Sequence, residues 1–370
     1  MLQGIVLLRR SWLLLTCVAL GGVAGCGSAP PEKLPRAAEP PTAPAQTVTP
    51  EGIVTKVGKR PEGIVADPET GLVAVALRRP ARLVLVDGDS GKVVRRLALP
   101  GAPRHLALAG PGGPVLVPAE DANRLDQVSL GGPVTSNDDG RMRRARVTAS
   151  AKVGRQPHDA TGLPDGRVAV GAELGNELEI VDGDRVVART TVALQPGGLA
   201  TLDHGRTIAV VSVRERVLEL YDARTLKRLA SASAGVGPTH IVCRDEVLCY
   251  VADTTGKSVL IFEWRDGELK LTRRQSLPSQ PYGIALDAER KRVWVTLPAL
   301  NQVMELSAFH GSRQVQAYPA VAQPQTVAVD ERTGHVFVTG ATNGELQRLR
   351  SRTAPSAPRR SAPTAGTGRP

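Results

Sequence analysis

Aromatic residues are scarce in this sequence, whose 370 residues include 3 Phe, 3 Trp and 4 Tyr. Proteins that hold single-stranded nucleic acid stack its bases on aromatic side chains, so no such platform accompanies the net charge of +11. Cysteine is also scarce, and the four residues form neither a C-x-x-C-H motif for covalent haem nor a His-paired nucleophile pattern. The apolar run near the N-terminus is too short for a stable membrane span.

A repeat organises the rest of the chain. The stretch QPYGIALDAERKRVWVTLPALNQVMEL, residues 280–306, is matched position for position by QPQTVAVDERTGHVFVTGATNGELQRL, residues 323–349. The leading proline recurs with spacings of 42, 54, 39, 42, 43 and 43 residues, at Pro61, Pro103, Pro157, Pro196, Pro238, Pro281 and Pro324. Seven copies therefore follow one another, with one insertion between the second and the third.

Each copy contains short apolar runs rich in Val, Leu and Ile, separated by Asp, Gly, Thr and Pro, which is typical of strands and tight turns. Four strands per repeat of about forty residues indicate the blade of a β-propeller. The seventh copy lacks a fourth strand, and GIVTKV at residues 52–57 could supply it, leaving no exposed sheet edges. The sequence predicts an all-β, seven-bladed propeller over residues 51–350, with six blades plus an irregular segment as the alternative.

The copies resemble the YVTN family of β-propeller repeats. PYGIALDAERKRVWVTLPALNQV and PTHIVCRDEVLCYVADTTGKSVLIF carry the likeness best, and YVAD stands where the family has its namesake tetrapeptide. The resemblance implies a propeller of the bacterial envelope or periplasm. It leaves the activity open, because members range from binding proteins and surface-layer components to lactonase-like enzymes. In two departures from the family pattern, the second copy is loose and the loop Asn is missing from the first, fourth and fifth copies.

The N-terminus predicts export. Arg9 and Arg10 precede an apolar run that ends in VAGC, which resembles a lipobox, so residues 1–25 are predicted to be a signal peptide and Cys26 the acylated first residue. An ordinary signal cleaved near Ala24 is the alternative. We expect an extracytoplasmic protein, anchored by lipid to the bacterial cell membrane.

Two further segments are predicted to lack folded structure. Residues 26–50 are rich in Pro and Ala and predict an extended tether, while residues 351–370 form a basic, proline-rich tail. Basic residues concentrate in this tail and in the insertion at about residues 131–152. Such arms can contact phosphates non-specifically, but nucleic acid is an unlikely partner, and solvated segments near an anionic membrane or wall polymer fit the composition better.

Two cysteines remain in the propeller, Cys243 and Cys249. They flank the connection between the first two strands of the fifth blade, which should run side by side, so a cross-strand disulfide is one expectation in an oxidising compartment. Two buried free thiols are the other.

A candidate ligand site follows from propeller geometry, since the first strand of each blade lines the central channel. Residues just after the leading prolines should meet at one end of it: Glu62, Arg104, His105, His158, Asp159, His240, Tyr282 and Gln325. Loops between the second and third strands should add Glu120, Asp121, Asn123, Glu173, Asn176, Asp253 and Asn301. His105, His158 and His240 could hold Zn²⁺ or another transition metal, and the carboxylates would suit Ca²⁺. Equally, a polar channel can be water-filled without function, and Asn in such loops is often a turn residue.

Two classes of function stay open. One is a non-enzymatic lipoprotein whose propeller binds a small ligand, an envelope polymer or a partner protein. The other is a metal-dependent hydrolase or lyase, as the lactonase-like members of the family imply, although their ligand set cannot be matched here residue by residue. Polyanion binding through the basic insertion and tail is a third, weaker hypothesis.

Overall fold

The computed structural model describes residues 34–131, 145–244, 247–308 and 314–352. In these ranges the chain forms seven four-stranded antiparallel sheets, the blades of the predicted propeller, and the six-bladed alternative is excluded. None of the helices in these ranges has the length and apolar character needed to span a bilayer. The predicted signal peptide, Cys26, most of the basic insertion and the tail beyond Arg352 lie outside the described residues.

Each blade runs from an innermost strand at the channel to an outermost strand at the rim. The first strand of the chain, β1, is Ile53–Lys56. Blades 1 and 2 follow as β2 Pro61–Ala66, β3 Leu72–Arg78, β4 Ala81–Asp87, β5 Val93–Ala98, β6 Ala107–Leu108, β7 Val115–Ala119, β8 Arg124–Ser129 and β9 Arg146–Lys152. Blades 3 and 4 are β10 Pro157–Gly162, β11 Val168–Ala172, β12 Glu177–Asp182, β13 Arg185–Thr191, β14 Pro196–Leu202, β15 Thr207–Ser212, β16 Val217–Asp222 and β17 Arg228–Ser233.

Blades 5 to 7 complete the ring. Their strands are β18 Pro238–Arg244, β19 Leu248–Asp253, β20 Ser258–Arg265, β21 Glu268–Ser276, β22 Ile284–Asp287, β23 Arg292–Leu297, β24 Gln302–Ser307, β25 Gln314–Pro319, β26 Pro324–Asp330, β27 His335–Gly340 and β28 Glu345–Arg350. Single 3₁₀ turns follow three strands, at Glu120–Ala122, Asp203–Gly205 and Pro298–Leu300.

The ring closes through its N-terminal strand, as predicted. β1 pairs antiparallel with β28, so that Ile53 lies opposite Arg348 and Lys56 opposite Glu345. The last blade therefore combines three C-terminal strands with one from the start of the propeller. The innermost strands of successive blades contact one another around the ring, including β2 with β26. The contact between β2 and β26 places the first blade directly beside the last one and closes the ring.

The position of each strand in its blade explains its sequence. Central strands pack between two neighbouring blades and are almost continuously apolar, as in VAVAL of β3, where five successive residues are buried. Outermost strands face solvent on one side, and charged residues enter them, as in VVRRLA of β5. The core consequently lies between blades and is built mainly of Val, Leu, Ile and Ala, which explains how the fold forms with so few aromatics.

Cys243 and Cys249 lie directly opposite each other on β18 and β19. Their sulfur atoms are bonded, with an S–S distance of 2.00 Å. The bond ties the innermost strand of blade 5 to its neighbour at the end of the channel remote from the leading prolines.

Candidate functional site

The seven innermost strands open at one end of the channel, which we call the mouth, since each begins at or just after its leading proline. The residues directly after the prolines form an outer layer, and the next residues form an inner layer. The outer layer is Glu62, Arg104, His158, Gly197, Thr239, Tyr282 and Gln325. The inner layer is Gly63, His105, Asp159, Gly198, His240, Gly283 and Thr326. All eight residues that the sequence placed at the mouth belong to these two layers.

Glycine in the inner layer lets neighbouring strands approach closely. A Cβ at Gly63 would lie 2.2 Å from the carbonyl oxygen of Arg104, and one at Gly283 would lie 2.3 Å from that of Gln325. Such distances are far inside van der Waals contact. The two glycines therefore permit the spacing at which His105 and His240 meet across the mouth.

Three carboxylates and three cations form an ionic cluster: Glu62, Arg78, Arg104, Glu120, His158 and Glu173. The carboxylate of Glu62 lies 3.3 Å from Arg78 Nε and 3.0 Å from Arg104 Nη1. Arg78 also donates through Nη2 to Glu120, at 2.7 Å. On the other side of the cluster, His158 Nδ1 lies 3.3 Å from Glu120 and 3.0 Å from Glu173.

The cluster favours the charged forms of His158, Glu120 and Glu173. Burial alone would lower the pKa of His158, but hydrogen bonds to Glu120 and Glu173 outweigh it and raise the pKa to about 9. For Glu120, burial would raise the pKa, yet His158, Arg104 and Arg78 lower it to about 2. The pKa of Glu173 is also lowered, since His158 and Gln195 outweigh its burial. With His158 protonated, three negative and three positive charges balance.

The rings of His158, His105, His240 and Tyr282 form a row across the mouth. Successive ring centroids are 4.6, 4.4 and 4.6 Å apart. His240 Nε2 lies 2.9 Å from His105 Nε2, and His240 Nδ1 lies 2.9 Å from the carbonyl oxygen of Tyr282. Burial and the nearby charge of His158 lower the pKa of His240 to about 3, and burial with His240 and His158 lowers that of His105 well below its usual range. Both rings are therefore neutral.

The predicted metal set of His105, His158 and His240 is not what the geometry favours. The two neutral histidines face each other at hydrogen-bonding distance, whereas His158 Nδ1 faces Glu120 and Glu173. Among the described residues, Glu120, His158 and Glu173 are the group whose ligand atoms all lie within 4.8 Å of one another. A divalent cation there would have to displace the proton of His158 and compete with Arg78 and Arg104 for carboxylates that are already neutralised. The donor types suit a metal, whereas the charge balance opposes one.

Sequence reasoning missed Arg78 and two glutamines, Gln156 and Gln195. Arg78 follows Leu77, the residue opposite Pro61, and Glu120 and Glu173 likewise follow the residues opposite Pro103 and Pro157. Aligning the copies at this position would have revealed it. Gln156 and Gln195 precede leading prolines and donate side-chain hydrogen bonds to the two oxygens of Glu173, at 2.9 and 2.8 Å.

The loop asparagines have a structural role at the mouth. Asn123, Asn176 and Asn301 adopt left-handed backbone conformations with φ of 51°, 55° and 49°. Their side-chain oxygens accept hydrogen bonds from the backbone N–H groups of Gln156, Gln195 and Gln323, which precede the next leading proline. These asparagines are therefore turn residues, and their side chains also connect each loop to the start of the following blade.

The two remaining loop carboxylates also serve the backbone. Asp121 accepts a hydrogen bond from the N–H of Ala102. Asp253 accepts from the N–H groups of Val236 and Gly237 and forms an ion pair with Arg274 at 3.0 Å. Neither belongs to the ionic cluster.

Asp159 points down the channel, beneath the cluster. Its carboxylate accepts hydrogen bonds from the N–H groups of Ala160 and Leu199, both at 2.9 Å. Burial raises the pKa of Asp159 to about 6, against these bonds. It borders a cavity of about 400 Å³ whose other side chains are mostly aliphatic, including Ile64, Leu199 and Ile284.

Residues 37–46 cross the mouth, and we call them the strap. Ala37, Ala38 and Glu39 border a small cavity with His158 and Tyr282, and Glu39 and Pro40 border a larger one of about 390 Å³ with three arginines: Arg60, Arg78 and Arg104. The strap contains no strand or helix, in keeping with an extended segment. It nevertheless contacts the propeller, a feature that its Pro- and Ala-rich composition did not indicate.

Known structures share the fold of this chain at low sequence identity. The chain is similar to hydrazine synthase of Kuenenia stuttgartiensis (15% identity, TM-score 0.63, covering 82% of this chain and 99% of that one). It is similar to virginiamycin B lyase from Staphylococcus aureus (14% identity, TM-score 0.64, covering 81% of this chain and 100% of that one). It is also similar to the β-propeller domain of Cps50 (Swd1) of Myceliophteria thermophila (12% identity, TM-score 0.66, covering 81% of this chain and 100% of that one). No family model and no curated protein match the chain. These likenesses establish the β-propeller and carry no activity over to it.

Proposed function

We propose that the protein is a lipid-anchored, extracytoplasmic propeller that binds a ligand at its mouth without chemically transforming it. The predicted signal peptide and the lipobox-like VAGC support the location, with Cys26 carrying the lipid. The ligand belongs to the envelope, as a polymer, a partner protein or a small molecule. The structures named above belong to proteins of such different kinds that the proposal rests on the mouth itself.

The main support for a non-enzymatic function is that the cations and carboxylates of the ionic cluster neutralise one another. Each cation of Arg78, Arg104 and His158 contacts carboxylates of the same cluster. A general base or nucleophile must instead be free to reach a reacting atom. His240 is likewise engaged at both ring nitrogens. The charges serve to hold the mouth in shape and to present polar edges to a ligand.

Site-specific photocrosslinking in intact cells tests this proposal. A photoreactive residue at Gln325, which borders the larger mouth cavity, should yield a discrete adduct in the membrane fraction. The same residue at Asp165, an exposed position on the opposite face with its side chain 52% accessible, should yield none. Equal labelling at both positions, or none at Gln325, would contradict mouth binding. Cys26→Ser should release the protein from the membrane, and retention would contradict the lipid anchor.

A metal-dependent hydrolase or lyase is the second candidate, favoured by the proximity of Glu120, His158 and Glu173. Metal content of untagged protein, purified without chelators, decides it. Stoichiometric metal that is lost in Glu173→Gln but kept in His105→Gln would support this function and justify assays on lactones and esters. If neither the wild type nor His105→Gln contains metal, the metal-dependent function is excluded.

A further inference from the structure

Gln323 makes a two-point contact with the backbone of the strap. Its side-chain Nε2 donates to the carbonyl oxygen of Pro41 at 2.9 Å, and its Oε1 accepts from the N–H of Ala43 at 2.7 Å. One amide side chain thus satisfies a carbonyl and an N–H two residues apart, on either side of Thr42. Both contacts are made to backbone groups of the strap, so they do not depend on the side chains of the bound segment.

Asn301 adds a third contact in register with the first. Its Nδ2 donates to the carbonyl oxygen of Pro44 at 3.0 Å, while its Oδ1 is held by the N–H of Gln323. The bound carbonyls of Pro41 and Pro44 are three residues apart. A polyproline II helix repeats every three residues, so carbonyls with this spacing face the same side of the chain. The two amides therefore match the repeat of a P-x-x-P segment.

Proline suits this site because it brings no N–H that would need a partner. Its restricted backbone also lowers the conformational entropy lost on binding, which is why proline-rich segments recur as recognition elements. The strap is only partly covered: all of its residues are exposed or half-exposed, and Glu39 and Pro40 border a cavity of about 390 Å³. A fourth bond joins Gln46 Nε2 to the carbonyl oxygen of Ala320 at 2.9 Å. An equivalent segment from another chain could make the same contacts.

We propose that Gln323 and Asn301 form a binding site for a P-x-x-P segment of an envelope partner protein, and that the strap fills this site until the partner displaces it. The inference rests on the proposed function, since it names the class of ligand that the mouth binds. The strap acts as an internal competitor. Removing it should raise the affinity for a proline-rich peptide.

Peptide binding to strap-deleted protein tests the inference. The full chain lacking the strap, residues 37–46, is titrated with a fluorescent peptide of those residues, AAEPPTAPAQ, and fluorescence anisotropy is measured. The deleted chain should bind at least about ten-fold more tightly than the wild type, whose site is filled. Replacing the prolines that correspond to Pro41 and Pro44 by Ala should weaken binding, because the peptide then loses its preorganised backbone.

Variants of Gln323 in the strap-deleted chain test whether this side chain binds the peptide. Gln323→Ala should weaken binding by at least about ten-fold, as expected for two lost hydrogen bonds. Gln323→Glu keeps the acceptor for Ala43 and loses the donor for Pro41, so it should also weaken binding, at an unchanged melting temperature. Gln316→Ala is the matched control, since that amide bonds to the backbone of Ala317 on an outermost strand, and it should bind like its parent.

Three outcomes would overturn the inference. Absence of peptide binding by a folded, strap-deleted chain would remove the site, as would binding that is indifferent to both Gln323 variants. A concentration-dependent dimer of the wild type that disappears on strap deletion would assign the site to a second copy of this chain. If the peptide does not bind but the crosslink at Gln325 is still observed, ligand binding at the mouth is supported and only the proposed class of ligand is wrong. If both fail, the proposed function falls with it.

Discussion

His105 and His240 meet across the mouth with their Nε2 atoms 2.9 Å apart, although 135 residues separate them in the chain. Only one of these two atoms can carry the shared proton. His240 Nδ1 faces the carbonyl oxygen of Tyr282, which can only accept, so Nδ1 carries the proton of His240 and its Nε2 accepts. His105 must then donate through Nε2, which leaves its buried Nδ1 without a partner among the described residues.

This relationship predicts two different neutral tautomers in one pair. Long-range ¹H–¹⁵N correlation spectra should show His240 as the Nδ1–H form and His105 as the Nε2–H form. Both should stay neutral at pH 5, since the pKa of His240 is about 3 and that of His105 lies well below its usual range. Titration of either ring near pH 6.5 would contradict the arrangement.

His158 should make stability fall at alkaline pH. Its pKa is raised from 6.5 to about 9 in the folded state, so its contribution is complete below about pH 6.5 and is lost as pH rises through 9. The shift corresponds to at most about 3 kcal/mol. Chemical denaturation at pH 6.5 and 9 should show this loss in the wild type and not in His158→Gln.

The control for this experiment is His204→Gln, which changes a histidine at the opposite end of the channel. It should keep the alkaline loss of stability. A slope that persists in His158→Gln would show that another group titrates in this window.

The ionic cluster predicts strong coupling between Arg104 and Glu62, which lie 3.0 Å apart. Arg104→Met should lower the free energy of unfolding by about 1–3 kcal/mol, because Glu62 loses its shorter contact while it keeps Arg78. Adding Glu62→Gln should recover part of the loss, with a coupling of about 1–3 kcal/mol in a double-mutant cycle. Additive effects of the two changes would contradict the cluster.

A surface ion pair provides the comparison. Lys56 bonds to Glu345 at 2.8 Å, but its side chain is 70% accessible. Lys56→Met should therefore change the free energy of unfolding by less than about 1 kcal/mol.

Gly63→Ala should destabilise the protein by about 1–3 kcal/mol, because its new Cβ would meet the Arg104 carbonyl and the neighbouring strand would have to move. Gly110→Ala, where nothing lies within 4 Å of the added Cβ, should be neutral or slightly stabilising. Thermal unfolding of both variants is the measurement. Equal melting temperatures would mean that the channel wall can relax around an added methyl group.

The blades could be predicted because their signals are local. Alternating apolar runs and a proline such as Pro281 recur in every copy, and hydrogen bonding within each blade then follows from antiparallel neighbours. The closing strand was predictable for a different reason: the seventh copy lacked one strand and residues 52–57 offered one. These features need no knowledge of which side chains meet across the ring.

The mouth was only partly predictable, because its contacts join residues far apart in the sequence. Position after the leading proline identified His105, His158 and His240, but not that the first and last would bond to each other while His158 contacts Glu120 and Glu173. The strap was missed altogether. Its docking depends on Gln323 and Asn301, more than 250 residues away, and proline-rich sequence carries no periodicity that would reveal such a contact.

If the protein is anchored by lipid as proposed, the docked strap also limits how far the propeller can stand from the membrane. On a chain acylated at Cys26, an unattached linker running to Glu51 could extend about 90 Å. With the chain in contact with the propeller from Ala37 onward, the greatest distance that the covalent chain allows between Cys26 and the strap is about 40 Å. In the proposed lipid-anchored protein, a partner segment that displaced the strap would therefore more than double the greatest distance between the acylated residue and the propeller.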